Sequence, residues 1–200
     1  MISSRISTIV GGLTFVAAIA AVHAAERAPD PNTQREFGAK LQVCATCHGA
    51  NGVPRNPEIP IVWGQQENYL AKQFHDFRAG DRNAEVMNWM ARTLEPDEVT
   101  PAVSLFASRK WPARAERTAA ATPPPGINVC QACHQANFMG AAQAEGISTP
   151  RLAGQNYEYL VESMRRFADG ERTNNADMVQ IMKAISPANR EAMARYLSGL

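Results

Sequence analysis

Apolar residues recur along this chain at helical spacing, in short runs separated by polar or proline-rich connections. In QENYLAKQFHDFRAG (66–80), Tyr69, Leu70, Phe74 and Phe77 fall on one face of a helix that Gly80 ends. QREFGAKLQV (34–43) predicts a helix ahead of it, and a third helix is expected near residues 96–107. Pro101 lies inside that third span, so a start at Pro101 with Thr100 as its cap is the alternative. No apolar run alternates with period two, so the pattern predicts an all-α protein.

The pattern is written twice. IPIVWGQQENYLAKQFHDFRAGDRN (59–83) lies over TPRLAGQNYEYLVESMRRFADGERT (149–173) at an offset of 90. Pro60, Gly64, Gln65, Tyr69, Leu70, Phe77, Gly80 and Arg82 meet Pro150, Gly154, Gln155, Tyr159, Leu160, Phe167, Gly170 and Arg172. In the second copy Ser186 reads as an N-cap, Pro187 as the first helical residue and Leu197 as the end. Two copies are too few for a solenoid and describe two similar domains, expected at 25–108 and 126–200. The connector, 109–125, ends in three successive prolines; Pro112 to Thr122 has the composition of a helix in the place of the second copy's first one.

Residues 1–24 have a secretory layout: one charge in MISSR, 14 almost wholly apolar residues and a small-residue cleavage site after Ala24. The apolar core is short for a membrane span. The expected destination is the periplasm, with membrane association at most peripheral. Lys and Arg number 20 against 19 Asp and Glu. That balance offers no polyanion-binding surface and argues against nucleic acid.

All four cysteines lie in two Cys-x-x-Cys-His motifs, CATCH (44–48) and CQACH (130–134). A disulfide has no use for the histidine, and a tetrahedral zinc site lacks its fourth ligand nearby. Two thiols one helical turn apart reach the two vinyl groups of one porphyrin edge, and the adjacent histidine then sits beneath the iron. The motifs predict two covalently bound c-type haems, at Cys44, Cys47 and His48 and at Cys130, Cys133 and His134.

The second axial ligand sets the chemistry. Methionine raises the potential and closes the iron to outside ligands, whereas an open position suits catalysis. Met87, 39 residues after His48, and Met178, 44 after His134, are the candidates, each expected in a loop that folds over the far haem face. Met90 and Met182 stand close enough to exchange roles with them; Met139, Met164 and Met193 read as packing, and His75 as a surface or pocket residue. Pro60 and Pro150 either stiffen a turn or present a carbonyl to the proximal histidine's other N–H. Trp63, Trp89 and Trp111 have no partner in the second half.

CATCHGANG, the PxxxxGQxxxYL stretch, the FRAGDR and FADGER ends and the methionine segments together resemble the two-domain dihaem cytochrome c4 family, over nearly all of residues 34–200. The resemblance implies two tandem class I cytochrome c domains related by a pseudo-twofold axis, with His48/Met87 and His134/Met178 ligation. The sequence departs from the pattern in CHQANFMG, where no glycine follows His134, and in a His134–Pro150 segment four residues longer than its twin. The function expected is a non-enzymatic single-electron carrier between a quinol-oxidising complex and a terminal oxidase or reductase. An electron-accepting subunit of a sulfide- or alcohol-oxidising dehydrogenase is the alternative, and a dihaem enzyme such as a peroxidase ranks below both.

Overall fold

The computed structural model describes residues 30–113, 122–141 and 148–200. The expected leader and most of the helix expected over 112–122 lie outside these residues. The first half contributes α1 (Pro31–His48), α2 (Glu67–Ala79), α3 (Glu85–Thr93) and α4 (Pro96–Ser108). The second contributes α5 (Asn128–His134), α6 (Tyr157–Asp169), α7 (Ala176–Ala184) and α8 (Pro187–Ser198). Helix α2 packs on α3 and α4, and α6 packs on α7 and α8. Among the described residues there is no strand, only two isolated bridges, Arg82 with Arg172 and Ala141 with Thr149.

Local chemistry accounts for the helix ends. Gly80 and Gly170 close α2 and α6 at φ of 88° and 76°, a left-handed conformation that glycine adopts without cost. Ser186 caps α8 by accepting from the Asn189 N–H, as its sequence predicts. Helix α4 bears out the span expected near 96–107 and rules out the alternative start at Pro101: the helix begins at Pro96, inside a capping box of Glu95 and Glu98, and Pro101 is carried within it. Proline there removes one hydrogen bond, to the carbonyl of Asp97. That residue is exposed, in the first turn of the helix.

A correction concerns Met87 and Met178. Both stand in the first turn of a helix, α3 and α7, rather than in a loop. Each helix is nine residues long, and neither opens with serine or threonine. Helix α7 is capped by Asn175, whose Oδ1 accepts from the Met178 N–H. The turn into α3 is held by Asn88, which accepts from the Ala84 N–H and donates to the carbonyls of Phe77 and Arg82.

The two halves meet through paired hydrogen bonds. Gln65 Nε2 donates to the Arg151 carbonyl at 3.0 Å, and its Oε1 accepts from the Arg151 N–H at 2.7 Å. Gln155 does the same to Ile61, at 3.0 and 2.9 Å. Gln65 matches Gln155 and Ile61 matches Arg151 at the offset of 90, so the exchange is reciprocal. The chain leaving α4 lies across this interface. Trp111 backbone is close against Gly64, its indole lies beside Gly154, and the Arg151 guanidinium stacks 4.2 Å over the ring.

Candidate functional site

Cys44 and Cys47 stand one turn apart in α1, which runs unbroken through His48; α5 carries Cys130, Cys133 and His134 in the same way. Spacing of three along a helix puts both sulfurs of a motif on one side. All four cysteines are free thiols. Burial pushes the Cys44 and Cys130 thiols above the usual range, so neither is a resting thiolate.

Both histidines are buried. His48 Nδ1 lies 2.9 Å from the Pro60 carbonyl, and His134 Nδ1 lies 2.8 Å from that of Pro150. A carbonyl cannot donate, so Nδ1 carries the proton and Nε2 keeps a free lone pair. Burial holds both imidazoles below their ordinary pKa, outweighing the carbonyl hydrogen bond. Neutral rings with Nδ1 fixed on a carbonyl are in the form a metal requires. The residues therefore fit haem: two thiols per motif for covalent attachment and one oriented imidazole nitrogen for iron.

The longer segment of the second half does not disturb this geometry. Ala141 and Thr149 exchange backbone hydrogen bonds of 3.1 Å, and Thr149 Oγ1 donates to the Cys133 carbonyl. The insertion is pinched off at its base, and Pro150 arrives where Pro60 arrives in the first half.

The methionines separate once the helices are aligned. Helices α3 and α7 match at an offset of 91, which pairs Met87 with Met178, Met90 with Ile181 and Ala91 with Met182. Ala91 and Met182 are 0% and 2% exposed and fill equivalent core positions. Met87 and Met178 are partly buried at the same place in each first turn. Met164 and Met193 are core residues as expected, whereas Met139 is exposed. His75 is a surface residue, its side chain 75% exposed.

A model of the cytochrome c family matches residues 127–200. Cytochrome c4 of Pseudomonas aeruginosa is 31% identical over 180 residues, which cover 81% of this chain and 86% of that one. The chain belongs to the cytochrome c4 family. The crystal structure of reduced recombinant cytochrome c4 from Pseudomonas stutzeri superposes with a TM-score of 0.66 at 26% identity, over 86% of this chain and all of that one. A protein of Stutzerimonas stutzeri described as a thiosulfate dehydrogenase electron acceptor is 29% identical over 187 residues, covering 84% and 83% of the two chains. The fold is thus the pair of tandem cytochrome c domains of cytochrome c4, and the chain is a haem-binding electron-transfer protein. No helix among the described residues is long and apolar enough to cross a membrane.

The domain interface is built on Arg82 and Arg172, for which the sequence suggested no role, together with Tyr69, Phe77, Tyr159 and Phe167, whose expected place was the haem-pocket lining and core. Arg82 donates to Gln73 and to the Tyr159 hydroxyl, and Arg172 donates to Ser163 and to the Tyr69 hydroxyl. Each guanidinium stacks on the phenylalanine of its own half, Phe77 at 4.6 Å and Phe167 at 4.2 Å. Burial works against ionisation of the two phenols, but the arginines overcome it at Tyr159 and bring it down to about 7; at Tyr69 burial prevails and the shift is upward. The available signal was the repeat itself, which had already matched Arg82 to Arg172, Tyr69 to Tyr159 and Gln65 to Gln155.

Proposed function

We propose that the chain carries two covalently attached haems and shuttles single electrons between a quinol-oxidising complex and a terminal oxidase or reductase in the periplasm. Cys44 and Cys47 attach the first group and Cys130 and Cys133 the second. His48 and Met87 would hold the iron of the first, and His134 and Met178 that of the second. The domains are assigned to residues 25–108 and 126–200, joined by 109–125 and preceded by a cleaved leader at 1–24. The observation that carries this reading is the repetition of one arrangement: a buried neutral histidine, its Nδ1 on a proline carbonyl, with a methionine in the first turn of a matching helix.

When bound, haem iron supplies a reversible one-electron couple whose potential its axial ligands set. The chain's own residues do the rest. Pro60 and Pro150 fix the ring orientation and raise the basicity of the two histidines. Met87 and Met178, as iron ligands, would favour the reduced state and keep outside ligands from the iron. The cysteines hold each group in one orientation, so that little rearrangement accompanies the transfer.

A second reading has the chain as the dedicated electron acceptor of a dehydrogenase, and the likeness to the thiosulfate dehydrogenase electron acceptor favours it. The deciding experiment starts from the native periplasm. The carrier reading expects a free protein with two irons per chain, two one-electron steps on potentiometric titration and no turnover of thiosulfate, sulfide or peroxide by itself. Stable co-purification with a dehydrogenase selects the second reading, and turnover by the isolated chain overturns both.

A further inference from the structure

The two reciprocal glutamines do more than join the domains. Ile61 follows Pro60, so its N–H and the Pro60 carbonyl belong to one peptide group. Gln155 Oε1 accepts that N–H at 2.9 Å, while the carbonyl of the same peptide accepts from His48 Nδ1 at 2.9 Å. In the other direction, Gln65 Oε1 accepts from the Arg151 N–H at 2.7 Å, and the Pro150 carbonyl of that peptide accepts from His134 Nδ1 at 2.8 Å. We propose that Gln65 and Gln155 are crossed positioning residues: each domain's glutamine, through one shared peptide of the other domain, tunes the iron site of that other domain.

The physical basis is polarisation along a hydrogen-bonded chain. An acceptor on a peptide N–H increases the negative charge on that peptide's carbonyl oxygen, strengthening the next hydrogen bond. A stronger pull on Nδ1–H makes the imidazole a more basic ligand, which stabilises oxidised iron. The two glutamines are 5% and 3% exposed, so water does not compete for either amide. Each amide also donates to the carbonyl of Ile61 or Arg151, which belongs to the next peptide, so it holds the backbone on both sides of that residue. The distances are nearly equal in the two directions, and the coupling is accordingly mutual.

This inference rests on the proposed histidine ligation, and its test reads potentials rather than turnover. In the haem-loaded full-length protein, Q155L and Q65L are titrated potentiometrically. Each haem is followed by its own methyl resonances in NMR, assigned through contacts to its own domain. The expected result is crossed. Q155L makes the first-domain iron easier to reduce by about threefold to tenfold in its equilibrium (tenfold is 59 mV for one electron) and leaves the second-domain iron in place. Q65L does the reverse. Q155N keeps an amide but withdraws it by one methylene, and gives the same sign should the leucine variant fail to retain its haem. A shift confined to the glutamine's own domain, equal shifts at both irons, or no shift overturns the relay. Two intact haems without a crossed shift defeat the relay alone, whereas a chain lacking two bound irons defeats the carrier reading.

Discussion

In the first domain the turn after His48 is built by Gly49 and Gly52, at φ of 86° and 81°; in the second, after His134, Gln135 and Phe138 hold the same two positions at 66° and 59°. The backbone path is shared although its residue types are not. Glycine is needed at the first position of the first domain, where a Cβ would lie 2.3 Å from the Val53 carbonyl. At the second position the exchange is one of volume. Trp63 fills the space over Gly52, and a Cβ there would meet its ring at 2.5 Å. In the second domain Phe138, 2% exposed and edge-on to Tyr196, brings the bulk, and Ala153 stands where Trp63 stood. Trp63 is therefore half of a swapped pair. The comparison shows what the fold holds constant, namely the path that delivers the histidine and its proline carbonyl, while the filling around it is interchangeable.

The largest effect belongs to what the halves share. M87A and M178A each open one iron, so carbon monoxide binds about one site per reduced molecule in either variant and two in the double variant, read from the visible spectrum. Next come the fillings. F138A removes a fully buried ring and costs about 3–5 kcal/mol in chemical denaturation, and the pair F138G/A153W, which transplants the first domain's solution, recovers part of that loss. A full cost in the double variant would show that the two fillings are not equivalent.

How much of this was legible beforehand depends on the kind of signal. The all-α architecture, the α2 and α6 faces and the Ser186 cap were readable because each is a local pattern with a fixed structural consequence. Helices α3 and α7 were not: nine residues leave little periodicity to detect, and the turn into α3 is closed by Asn88 reaching back to Phe77. Pro101 suggested a later start for α4 because proline is normally a helix boundary, and its tolerance depends on the exposure of Asp97, which sequence does not show. Gln65 and Gln155 were visible as a matched pair, but their partners lie 86 and 94 positions away. Trp111 acquires a place against Gly64, Gly154 and Arg151. Trp89 stands 63% exposed with Gln180 at its matching position, and nothing among the described residues explains it.

Smaller effects sharpen the contrast in the turns. G49A meets both a backbone clash and a left-handed φ and costs about 2–4 kcal/mol, whereas Q135G relieves a strained φ and changes stability by at most about 1 kcal/mol in the favourable direction. Thermal unfolding of the two variants side by side checks the opposite signs. The smallest effect is a charge present in one half only. Asp76 is buried and holds Lys72 at 2.5 Å and, across the interface, Asn174 at 2.6 Å; its match in the second half is Arg166. Burial raises its pKa, but the Lys72 and Asn174 hydrogen bonds together outweigh it and leave the group below the ordinary carboxylate value. A lowered folded pKa contributes stability that is complete above the unfolded value and is lost as pH falls through the folded one. D76N therefore loses about 1 kcal/mol at neutral pH, and the difference from wild type narrows below about pH 4.

The account's central claim is that both irons are closed by protein ligands from matched positions. Titration of the reduced, haem-loaded protein with carbon monoxide tests it most directly. The account predicts a visible spectrum unchanged at both haems. Stoichiometric binding at either one contradicts it, because that iron would then carry an open or weakly held sixth position and the chain would have the means for chemistry beyond carrying electrons.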